Sequence, residues 1–87
     1  MAGGLDLEED MIFDPHEGIV GLDDHLVRMS AAAAARGVVF DRHEARNELQ
    51  AATFRAGPSR IRMLLSPSGA LAIELRPLAS EGSAKGG

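Results

Sequence analysis

The residues of this chain best suited to chemistry sit in one short segment, Gly21-Leu22-Asp23-Asp24-His25-Leu26-Val27-Arg28-Met29. His25 and Arg28 are three residues apart, so on a helix they share one flank. Taken alone, Arg28 reads either as an anion ligand or as a solvated helix residue, and the residues by themselves favour the second. The other candidates are weaker. There is no cysteine, so no thiolate can act as nucleophile or metal ligand and no disulfide can form. His16, His25 and His43 are widely spaced on a loop and two different helices, which is no metal-ligand pattern, and no metal site is expected. No serine, histidine and aspartate set stands out. Lysine occurs once, as Lys85, in a Gly/Ser-rich end. No catalytic residue is assigned to this chain.

Those residues need elements to hold them. Residues 1–6 and 79–87, rich in Gly, Ala and Ser, read as loose tails around a domain at 7–78. Leu7 to Phe13 alternates imperfectly and predicts a strand, although Glu9 falls on the face shared by Leu7, Met11 and Phe13. Asp14-Pro15-His16-Glu17-Gly18 predicts a turn. Leu22, Leu26, Met29 and Ala33 recur on one helical face. Asp23 is expected to cap that helix, His25 to bond locally to Asp23 or Asp24, and Gly37 to end the helix in a left-handed conformation. Ala31 to Ala35 favour the helix and keep it thin. Val38-Val39-Phe40 is β-prone. Asp41 then opens a second helix, with Ala45, Leu49 and Ala52 as its buried stripe.

Ile61, Met63 and Leu65 alternate with Arg60, Arg62 and Leu64; after Ser66-Pro67-Ser68-Gly69 a second alternating run carries Leu71, Ile73 and Leu75. This predicts a β-hairpin closed by a type I turn and a bulge, with Arg62 opposite Glu74. The order strand, helix, helix, strand, strand implies an α+β two-layer sandwich: a small antiparallel or mixed sheet with a C-terminal hairpin, covered by two helices.

The 87 residues allow one domain at most, and aromatics are only 3% of them, so the core must be aliphatic. Net charge is −4 and polarised: residues 1–24 hold eight acids and no Lys or Arg, while the rest holds nine bases and five acids. An acidic front disfavours nucleic acid and anionic membranes. No apolar run approaches bilayer length and no secretory leader is visible, so no membrane partner is expected and a cytoplasmic location is.

The order of elements and several residues resemble the small N-terminal domain of class IV (fold-type IV) pyridoxal-phosphate enzymes. The resemblance rests on Glu9 in an edge-of-site strand, Gly18, Leu22, His25-Leu26-Val27-Arg28-Met29, Gly37 with Phe40, and the run Arg60-Ile61-Arg62-Met63-Leu64-Leu65. It covers roughly residues 7–78. Phe13-Asp14-Pro15, Gly21-Leu22-Asp23-Asp24-His25-Leu26 and the Ser-Gly hairpin tip look most like aminodeoxychorismate lyase domains fused to para-aminobenzoate synthase component I.

In such enzymes the arginine matching Arg28 helps bind the cofactor phosphate, and the histidine matching His25 sits near it or supports the helix. A guanidinium's fixed donors and permanent charge suit a phosphate dianion. Asp10 and Ile12 depart from the family's usual Thr and Arg. The resemblance implies pyridoxal phosphate in an intact parent enzyme, and no cofactor for this chain alone, because the family's Schiff-base lysine belongs to a larger C-terminal domain. That domain is the expected partner, and a homo-oligomer is expected. The implied parent activity releases 4-aminobenzoate and pyruvate from 4-amino-4-deoxychorismate, in folate biosynthesis. Two alternatives are a non-catalytic standalone α+β interaction module and the small domain of a branched-chain or D-amino-acid aminotransferase.

Overall fold

A computed structural model describes residues 6–78; the predicted tails at 1–6 and 79–87 lie outside the described residues except for Asp6. Four strands and two helices follow in the order β1 (Leu7–Asp14), β2 (Gly18–Ile19), α1 (Leu22–Arg36), α2 (Arg42–Thr53), β3 (Ser59–Leu65) and β4 (Leu71–Pro77). The sheet runs β2-β1-β3-β4 and every neighbouring pair is antiparallel. α1 packs over β1 and α2 over β4, on one face. This is the expected α+β two-layer arrangement, with the sheet antiparallel rather than mixed.

Period-2 alternation aims one set of side chains at the helices. Met11 on β1 and Ile61, Met63 and Leu65 on β3 are buried against Leu26, Met29 and Ala33 of α1 and Ala45 and Leu49 of α2. Each fully buried Leu, Ile or Met stabilises by about 1.5–3 kcal/mol. Ala33 and Ala45 are also buried, small side chains set among the larger Leu26, Met29 and Leu49.

The β3–β4 hairpin has the expected form. Gly69 N–H donates to the Ser66 carbonyl and Ser66 N–H to the Ala70 carbonyl, with Gly69 at φ 93°, where a side chain would be strained. Arg62 pairs with Glu74 in the register, as predicted.

α2 starts as expected: Asp41 Oδ1 accepts from the N–H groups of His43 and Glu44. α1 also ends as expected, with Gly37 left-handed; Gly37 N–H donates to Ala34 and Val38 N–H to Ala33, the Schellman pattern.

Three expectations are corrected. Asp23 does not cap α1: the cap position is Gly21, at φ 65°, with no side-chain cap bond, and Asp23 lies inside the first turn, where its carboxylate meets Arg46 of α2 at 2.6 Å. The β-prone Val38-Val39-Phe40 forms no strand between the helices, in keeping with the expected order of elements, because the Schellman turn sends the chain straight on to Asp41. Ala52 is exposed; Thr53, one turn past Leu49, takes the buried place and satisfies its hydroxyl on the Leu49 carbonyl at 2.9 Å. Residues 18–19 form a short strand, β2, where the expected turn at 14–18 gives way to the lead into the first helix.

Candidate functional site

Glu9 is where the strand pattern breaks. Leu7, Glu9, Met11 and Phe13 share the helix-covered side of β1, so a carboxylate lies among apolar side chains, only 18% exposed. A charge held there needs partners. α1 supplies them. With Leu26, Met29 and Ala33 seated on the core, helical geometry turns His25 and Arg28 toward β1. His25 Nδ1 lies 2.6 Å from Glu9 Oε1, and Arg28 Nη2 lies 3.4 Å from the same oxygen. His25 therefore bonds across to β1, and its expected local bond to Asp23 or Asp24 is corrected.

The Nδ1 atom is also 2.9 Å from Arg28 Nη2. It cannot serve both neighbours. Arg28 has only donors to offer, so Nδ1 would have to accept from it while donating to Glu9. The bond to the carboxylate is charge-assisted and shorter, so we assign the Nδ1 proton to it. Arg28 meets Nδ1 donor to donor, and its favourable contact in the cluster is Glu9. Gly21 lies beneath the ring; a Cβ there would stand 3.7 Å from the imidazole, an ordinary contact. Its positive φ, rather than space, is what selects glycine at that entry to α1.

The arginine is not consumed by this arrangement. Its contact to Glu9 is long, and its side chain is 56% exposed. The remaining N–H groups of the fork face solvent and can take an oxyanion. The cluster can thus orient a cation and bind negative charge. Among the described residues it presents no hydroxyl, thiol or amine.

His16 lies in the β1–β2 turn and His43 in the first turn of α2, so the three histidines sit on three elements. Among the described residues no group of three His, Cys, Asp or Glu is placed to hold a metal ion. Lys85 lies outside them. No helix among them is long and apolar enough to cross a membrane. Glu9's role as the acceptor joining His25 to Arg28 escaped sequence reasoning; its signal was the charge on the apolar side of β1.

No family model and no curated protein matches the chain. Among solved structures it is similar to the crystal structure of a "putative amino-acid aminotransferase" from Mesorhizobium loti, with 26% sequence identity and a TM-score of 0.74 over 83% of this chain. The match takes in 35% of that protein, so this chain spans about a third of its length. The α+β fold built around Glu9, His25 and Arg28 is aminotransferase-like.

Proposed function

We propose that this chain is the small domain of a pyridoxal-phosphate enzyme and that Arg28 contributes a contact to the cofactor phosphate. The observation that carries the reading is the half-exposed guanidinium of Arg28, steadied by the Glu9 carboxylate and flanked by His25. A guanidinium with outward N–H groups fits a phosphate dianion. The fit is for one contact only, because one arginine without opposing donors makes a weak site. Bound cofactor supplies an electron sink for chemistry at the amino acid carbon. What the chain itself supplies is narrower. Arg28 binds negative charge, Glu9 fixes its direction, and His25 fills the space between strand and helix.

The larger domain with the lysine is the proposed partner, in a parent protein that is a homo-oligomer. We propose 4-amino-4-deoxychorismate as the parent's substrate, with release of 4-aminobenzoate and pyruvate. The resemblance of the 13–26 region and the hairpin tip supports that choice. The aminotransferase description of the structural neighbour supports the second reading, amino-group transfer to a 2-oxo acid.

Two measurements test this. Titrating the chain with pyridoxal phosphate, with pyridoxal as control, should shift the backbone amides of His25 and Arg28 only for the phosphorylated compound, and Arg28→Gln should remove the response. Equal shifts from both compounds would overturn the phosphate role. Assaying a parent protein for 4-aminobenzoate release against 2-oxo acid production separates lyase from transaminase. Turnover of either substrate by the 87-residue chain alone would end the small-domain reading.

A further inference from the structure

β4 is an outer strand, with β3 on one side and no strand on the other among the described residues. Its backbone alternates. Leu78 N–H donates to the Pro58 carbonyl and the Ala70 carbonyl accepts from Ser66, so the even-numbered residues bond to β3. Leu71, Ile73 and Leu75 therefore point their N–H and C=O groups away from the sheet. Two side chains between them lack partners as well. Arg62 stands opposite Glu74 in the register, yet it reaches Glu8 at 3.1 Å and Asp10 at 3.8 Å instead. The exposed Glu74 side chain is left with no hydrogen bond or ion pair among the described residues. The Arg76 side chain is equally exposed and unpaired, and its register neighbour is another cation, Arg60. Like charges directly opposite on neighbouring strands are destabilising. The rim thus carries an unpaired anion and an unpaired cation on either side of the outward-facing Leu75 backbone.

We infer that β4 is a self-pairing edge, on which a second copy of this chain docks antiparallel about a two-fold axis at Leu75. The strand reads Ile73-Glu74-Leu75-Arg76-Pro77, and only an axis at Leu75 sets each Glu74 opposite the other copy's Arg76. An axis at Glu74 would press the two carboxylates together, and one at Ile73 would set Glu74 against Ala72. With the axis at Leu75, the two Leu75 residues exchange both backbone bonds. Glu74 and Arg76 fall at the flanking positions without backbone bonds, where facing side chains come closest. Each Arg76 then meets a carboxylate on its open side, which offsets the repulsion from Arg60. The axis stands perpendicular to the sheet and keeps both helix-covered faces on one side. The half-buried Ile73 and Leu75 meet the other copy there and lose further water. Pro77, opposite Ile73, has no N–H, so the shared ladder is short and the association weak. Both rims are used up, so the assembly closes at two copies. The pairing does not rest on the cofactor reading and is separate from the oligomer proposed for the parent.

The test is dilution of the 87-residue chain from about 1 mM to about 10 µM, followed by sedimentation and amide chemical shifts. A monomer–dimer equilibrium should appear, with shifts centred on Ile73 to Arg76. Glu74→Arg alone and Arg76→Glu alone should each weaken it about tenfold or more, because like charges then face each other at both flanking positions. Mixing the two variants should restore association to within about threefold of the unaltered chain, because each cation again meets a carboxylate. A mixture no tighter than either variant alone would overturn the register. Concentration-dependent shifts centred on the exposed Val27 or Phe54 of the helical side would overturn the edge. So would a chain that stays monomeric to about 1 mM, its rim then open only to a strand of another protein. The dilution of the unaltered chain decides the matter even where a variant is unstable.

Discussion

The two faces of the same sheet handle charge in opposite ways. On the covered face Glu9 is closely met: His25 Nδ1 lies 2.6 Å away, with Arg28 beyond. On the open face Arg62 shares itself between Glu8 and Asp10 at 3.1 and 3.8 Å, and all three side chains are 44–58% exposed. The strands are the same and the side chains are one residue apart. What differs is water. A carboxylate cut off from solvent must be given donors of its own, so its neighbours are specified. A carboxylate in solvent already has water, so its partners are interchangeable and weak. Pairing on the covered face is therefore structural, and pairing on the open face leaves cations such as Arg60 and Arg76 free for other uses.

The largest expected effect removes the packing that makes one face covered. Met63→Ala should cost about 2–5 kcal/mol, since Met63 is fully buried at the centre of the sheet. That is comparable with the whole stability of so small a domain, so urea unfolding should show the variant largely unfolded before denaturant is added. A loss below about 1 kcal/mol would mean the two faces do not differ in packing as described.

Next comes the pairing itself. Glu9→Ala should cost about 1–3 kcal/mol, because it strips His25 of its acceptor in a half-buried place. Glu9→Gln, which keeps an acceptor oxygen, should lose less. Thermal melts of the two variants measure the difference, and equal losses would show that hydrogen bonding to His25 is not what holds Glu9. The smallest effect is on the open side. Arg62→Gln should change stability by under about 1 kcal/mol, and the change should fade in high salt. A larger, salt-independent loss would erase the contrast.

Legibility in the sequence followed the same physics. The hairpin was readable because period-2 alternation and a Pro-Ser-Gly turn agree, and α2 because Asp41 caps it by side chain. The start of α1 was misread because a left-handed glycine begins it, and two aspartates next door offer a more familiar signal. Thr53 was passed over for Ala52, since its hydroxyl is hidden by a bond to the Leu49 carbonyl that only the folded helix shows. β2 spans two residues, too short for any periodicity. At the site, the shared flank of His25 and Arg28 follows from their spacing, while their role as a site follows only from the family resemblance. Glu9's part in joining them depends on which strand face α1 covers, a long-range fact absent from local pattern.

β4 lies at the rim of the sheet, and its backbone carries a consequence for crowding. Leu78 N–H and the Ala70 carbonyl both turn inward toward β3, so by alternation Leu71, Ile73, Leu75 and Pro77 turn their backbones outward. A visiting strand would find amide donors at the first three and none at the last, because proline has no N–H. Glu74 and Arg76, between them, add charge to the same rim. Ladder growth from one molecule to the next is cut short there, so the rim is blunted against fibril formation while remaining long enough to accept one brief, matched strand.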